Sequence, residues 1–172
     1  MRVALRDATS NKVGSASQFI EVPDTKNGRL VLSSLALSKA AAEDVASGAD
    51  AAADASSVLR EFSPGTEFSY AFEVLNAQAE PGKGPRVQTQ MRLFENGRAI
   101  LEGTLETLDS STHALADPKN LMIHGKFQLD PQLAPGDYAL EVTVTDTLDK
   151  HKRHNEASSW QTFEVVADQH QP

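Results

Sequence analysis

The sequence of 172 residues contains no cysteine. That excludes disulfide scaffolds, thiolate zinc sites, iron–sulfur clusters and cysteine nucleophiles. It does not fix the cellular compartment. Long apolar runs are also missing. The stretch 30–37 is broken by Ser33 and Ser34 and falls far short of the roughly 20 residues a membrane helix needs, so no membrane insertion is expected. The first residues (MRVALRD) carry no apolar core of a secretory signal. Positive charge is scarce, with 16 Lys and Arg against 24 Asp and Glu and a formal net charge of −8. Nucleic acid, which calls for a basic stripe, is therefore not an expected partner.

Catalytic signatures are absent too. No Gly-x-Gly-x-x-Gly forms around Gly82 and Gly84, because Pro85 and Arg86 follow. The run Gly14-Ser15-Ala16-Ser17-Gln18 lacks the closing glycine of a nucleophile elbow. Five histidines are scattered, and only His151 and His154 are close. Lys150, Lys152 and Arg153 surround that pair. Three cations oppose a bound metal ion, and a zinc or copper site needs three or four convergent donors. Asp146 and Asp149 flank the basic tip but lack the alternating acidic spacing of a calcium loop. Neither a metal nor any other cofactor is expected, and the chain reads as no enzyme.

What remains is strand chemistry. Phe68, Tyr70, Phe72 and Val74 alternate with polar residues, as do Val87, Thr89, Met91 and Leu93. Period-two alternation marks half-buried strands. Asn96 and Gly97 supply the two positive φ angles of a type I′ hairpin turn. Tyr138, Leu140, Val142 and Val144 form the cleanest alternation, and Phe163 and Val165 point inward from the last strand. The spacing predicts strands at 29–37, 66–77, 86–94, 98–106, 121–129, 137–146 and 158–166. That is an all-β, immunoglobulin- or fibronectin III-like sandwich of about seven strands. Tyr138, following Pro135 and Gly136, fits a tyrosine corner, in which a buried Tyr bonds upstream backbone; a plain core aromatic is the other reading.

Residues 1–24 read as a hairpin that ends a preceding domain, with strands at 3–5 and 18–22 stopped by Pro23. A lone hairpin is marginal in water, so this one needs a partner. The sandwich then spans 25–167. It is interrupted by an Ala-rich insertion, 38–58, that lacks a buried face and reads as a loop with a transient turn of helix. Residues 168–172 read as a frayed tail.

Two surfaces stand out as candidate partner sites. One is the basic tip, Lys150, His151, Lys152, Arg153 and His154. The other is the hairpin edge with Phe19 and Ile20, suited to pairing with a protein partner or a second copy. Trp160, the single tryptophan, reads either as packing at the sheet edge or across the sandwich, or as an exposed stacking platform for a sugar or a peptide. His124 falls on the polar face of its strand.

Four stretches together resemble the C-terminal region of von Willebrand factor A-related proteins of the acidobacterial type. They are 2–7 (RVALRD) with 13–16 (VGSA) and 18–24 (QFIEVPD); 62–66 (FSPGT) running to Tyr70, Asn76 and Ala77; Arg92, Leu93 and Phe94 with Asn96 and Gly97; and 133–146 with 160–165. The resemblance implies a β-sandwich module at the distal end of a longer exported protein, in the periplasm or cell envelope. The A domain itself is missing. Its Asp-x-Ser-x-Ser metal site fails at the closing serine after both Asp54 and Asp109, so no metal-site residue carries over. The expected function is a non-catalytic interaction or spacer module, with a carbohydrate-binding module through Trp160 as the alternative.

Overall fold

The structure, a computed structural model, describes residues 2–10, 12–17, 25, 28–38, 60–81, 83–109, 120–149 and 155–167. It is an all-β sandwich. One sheet runs β11(Asn120–Gln128), β6(Glu67–Leu75), then β3(Val31–Leu32) and β4(Ala36–Ser38) side by side on β6. The other carries β9(Arg98–Glu102) and β10(Glu106–Asp109) on β8(Gly84–Glu95), followed by β12(Gly136–Asp146), β13(Glu156–Val165) and β5(Glu61–Phe62). A short β7(Ala79–Glu80) also pairs with β8. All pairings are antiparallel except β13 with β5. Counting β3/β4 and β9/β10 as one position each, the seven expected strands are all present. The first, second and fifth form one sheet, and the fourth, third, sixth and seventh the other.

The core lies where the alternation placed it. Phe68, Phe72, Val74, Val87, Leu93, Tyr138, Leu140, Val142, Val144, Phe163 and Val165 are all buried. Aromatic rings tie the two sheets at one end. Phe62 and Phe163 meet edge to face at 5.6 Å, and Phe68 lies 4.8 Å from Phe62 and 5.7 Å from Phe163. Tyr138 stacks on Phe163 at 5.9 Å, and its hydroxyl donates to Ala134 O at 2.7 Å. The tyrosine corner is therefore formed. Asn96 and Gly97 have φ of 49° and 76°, the pair of positive angles a two-residue hairpin requires.

Four expectations need correction. The strand expected at 29–37 is split at Ser33. Ser33 N donates to Glu73 O at 2.9 Å, while Glu73 N donates to the Ser33 hydroxyl rather than a carbonyl, at 2.8 Å. The register slips by one residue between Leu32↔Val74 and Ala36↔Ala71, which is a bulge. The strand expected at 98–106 breaks at Gly103, whose N–H reaches Met91 O at 2.8 Å, and pairing resumes at 106–109, past the expected end. Two-residue β5 and β7 were not anticipated.

The fourth correction concerns the hairpin. It exists, and its return strand is earlier than expected: β1(Arg2–Arg6) pairs with β2(Val13–Ser17). Asp7 sets the turn. Its carboxylate accepts from Thr9 N at 2.8 Å and from Ser10 N and the Ser10 hydroxyl. Those bonds, the Ser10 hydroxyl foremost, hold the Asp7 carboxyl below its ordinary value. Residues 18–22, the insertion from residue 39 onward and the tail 168–172 lie outside the described residues, while Ser38, the insertion's first residue, ends β4.

Candidate functional site

The residues singled out for partner contact, Lys150 to His154 and Phe19 with Ile20, lie outside the described residues. What the structure does describe is the base of that tip. Asp146, at the end of β12, is 2% exposed. Its carboxylate accepts from Gln78 N at 2.7 Å and from Leu148 N and Asp149 N at 2.8 and 3.3 Å. Both oxygens are thus met by amide protons, a polarity suited to holding loops rather than a cation. His124 is exposed on β11, as its strand pattern implied. Among the described residues, no three His, Cys, Asp or Glu side chains gather as a metal site.

Trp160 is not packed. It is 66% exposed on the outer face of β13, which corrects the reading that buried it at the sheet edge. Parity carried the signal. Phe163 and Val165 face the core, so an even-numbered residue of the same strand faces out. Trp160 stands opposite Glu141 of β12, and Glu141 opposite Arg92 of β8. The Arg92 guanidinium meets Glu141 Oε2 at 2.9 Å, as an ion pair without an aligned hydrogen bond. The same guanidinium lies 5.8 Å from the Phe94 ring centre, within cation–π range. Between Phe94 and Trp160, on the intervening strand, sits the small Ala139. The result is a shallow groove of about 360 Å³ with aromatic walls, closed at its polar rim by Asp137, Glu141 and Thr162.

The second feature is the far edge of β13. Backbone groups alternate sides along a strand. Asp146 N donates to Asn155 O, so the odd-numbered residues of β13 face β12. Glu164 N and Val166 N donate to Arg60 O and Phe62 O, so the even-numbered ones face the opposite edge. There β13 pairs with β5 only at Glu164 and Val165. Among the described residues, no strand covers the backbone of Ser158, Trp160 and Thr162. Thr162 O takes a hydrogen bond from its neighbour's side chain, Gln161 Nε2, at 3.1 Å. Beneath this edge, towards β3, lies a groove of about 620 Å³ lined by Leu30, Val31, Leu32, Ala157 and Ser159 among others.

The third is the hairpin. Ala4, Leu5 and Arg6 of β1 and Val13 and Gly14 of β2 are all exposed. Leu5 is 75% exposed and Val13 68%. These residues cover both pleat faces, so neither face of the ribbon is buried.

No family model matches the chain, and no curated protein matches it. Among solved structures, it is similar to the CARDB domain of the PF1109 protein from Pyrococcus furiosus, in complex with di-metal ions. The TM-score is 0.44 at 13% identity, over 88% of this chain and 100% of that one. It is also similar to a family 123 glycoside hydrolase from Clostridium perfringens. That TM-score is 0.43 at 12% identity, over 80% of this chain and 27% of that chain. Neither likeness bears on the grooves or the hairpin.

Proposed function

We propose that this chain is a non-catalytic β-sandwich module of an exported or cell-envelope protein, working by protein–protein contact through exposed strand edges. Export enters through the resemblance to von Willebrand factor A-related proteins. The contact reading is carried by the hairpin, whose described side chains are exposed on both faces. An isolated two-stranded ribbon is marginally stable at best, so this ribbon has most to gain from a partner. Deleting residues 1–22 tests the reading. The sandwich should keep its far-ultraviolet spectrum and melting temperature while association is lost. Unchanged association would refute it.

A second reading, carbohydrate recognition, is favoured by one observation: Trp160 is 66% exposed beside Phe94 and above Ala139. An exposed indole offers its face to the C–H side of a sugar ring, and rim carboxylates accept from hydroxyls. Trp160 is the single indole, so its fluorescence reports a glycan titration directly. A panel of neutral glycans that leaves the emission unmoved would remove this reading.

A further inference from the structure

We infer that the open edge of β13 is the acceptor for strand β1 of a second copy of this chain. The inference rests on the protein-contact reading above and names its partner and register.

Among the described residues, each edge is open in the same way. On β13, the backbone N–H and C=O of Ser158, Trp160 and Thr162 face away from β12. On β1, Asp7 N donates to Lys12 O, so residue 7 faces β2 and the even-numbered residues 2, 4 and 6 face away. Three outward residues meet three. Antiparallel pairing with Ala4 opposite Trp160 sets Arg6 opposite Ser158, where each opposed pair exchanges two backbone hydrogen bonds.

Side-chain chemistry agrees with this register. Directly opposed residues share a sheet face, so Ala4 and Arg6 join Trp160 and Ser158 on the outer face. Arg6 then lies diagonal to Glu156, which is exposed on that face. Leu5 falls on the other face, towards the groove floored by Leu30, Val31 and Leu32. A leucine 75% exposed in one copy would thus be covered by an apolar floor in the next. The opposite pleat would send Arg6 there instead.

Charge points the same way. Arg2, Arg6 and Lys12 against Asp7 leave the hairpin at +2, and the rest of the chain at −10. Two sandwiches of like charge repel, but a basic ribbon is drawn to an acidic sandwich. Each copy carries one donor and one acceptor on different surfaces. The contact is therefore heterologous and propagates head to tail unless a ring closes.

Proline at an outward-facing position tests this, because it removes an edge N–H without touching the ladder to the neighbouring strand. Ala4→Pro disables the donor and Ser158→Pro the acceptor. In sedimentation experiments the full chain should gain mass with concentration, and each variant alone should remain a monomer. Mixed, the two should form a one-to-one dimer and nothing larger, since one donor and one acceptor remain. Should Ser158→Pro unfold, Thr162→Pro repeats the block one pleat along. If Ser158→Pro and Thr162→Pro associate like the parent while Ala4→Pro does not, the acceptor assignment is wrong and the contact reading survives. If all associate like the parent, or if the parent is a monomer at every concentration, both fall.

Discussion

Replacing Asp146 by alanine should open the joint that ties the end of β12 to the residue before β7. Asp146 is 2% exposed, and its carboxylate accepts from Gln78 N, Leu148 N and Asp149 N. Gln78 is 68 residues away in sequence, so this bond is a tertiary tie, while the other two shape a local turn. A hydrogen bond to a charged acceptor contributes about 1.5–3 kcal/mol, and a turn bond about 0.5–1.5 kcal/mol. With one such tie and two turn bonds, the alanine variant should therefore lose about 2.5–6 kcal/mol. In a domain of this size, each kcal/mol lowers the melting temperature by roughly 2–4 °C. Asp146→Asn keeps one acceptor oxygen and should lose about half as much. Urea unfolding followed by far-ultraviolet circular dichroism is the suitable assay, because Trp160 is already exposed and its emission reports unfolding poorly. The midpoint should fall with the slope unchanged. An alanine variant within about 0.5 kcal/mol of the parent would refute the assignment of Asp146 as the tie.

Tyr138→Phe removes the corner bond to Ala134 O and should cost about 0.5–1.5 kcal/mol with the core packing intact; no change in the urea midpoint would make Tyr138 a core aromatic only. Burial, and then the charges of Glu106 and Glu95, push the Tyr70 and Tyr138 hydroxyls above their ordinary value of 10.0. The unfolded chain therefore ionises first, so this contribution is complete below pH 10 and declines as pH rises past it; thermal melts that stay level to pH 11 would contradict that. Gly125→Ala would place a Cβ 2.5 Å from the Tyr70 hydroxyl oxygen and 2.6 Å from its Cζ. It should cost about 1–3 kcal/mol, with part of the loss recovered by Tyr70→Leu in a double-mutant cycle. Trp160→Ala should stay within about 0.5 kcal/mol of the parent, whereas Phe68→Ala, 1% exposed, should lose about 3–5 kcal/mol.

The legible parts of this fold are those written in local period. Tyr138 to Val144 alternate strictly and sit in the middle of their sheet, and Asn96-Gly97 carries its backbone angles in its own chemistry. Features resting on distant partners were not legible. Ser33 splits a strand because its hydroxyl answers an amide 40 residues away. β5 is two residues long and exists through Arg60 and Phe62 carbonyls taken up by β13. The hairpin's return strand, Val13–Ser17, is rich in small residues of low strand preference. It is selected by the Asp7 turn rather than by apolar pattern, which had favoured 18–22. Trp160 was open to a packed and an exposed reading, and its parity against Phe163 and Val165 decides for the outer face. The edge of β13, open among the described residues, is a property of backbone pairing, and only the sheet order reveals it.

The most direct measurement is residue-resolved amide exchange on the full chain across a concentration series. Ser158, Trp160 and Thr162 should exchange quickly in dilute solution and become protected as concentration rises, together with the outward amides of β1. The inward-facing amides of Ser159 and Gln161, already paired with β12, should be protected throughout. Protection of Ser158, Trp160 and Thr162 that is independent of concentration would contradict the account.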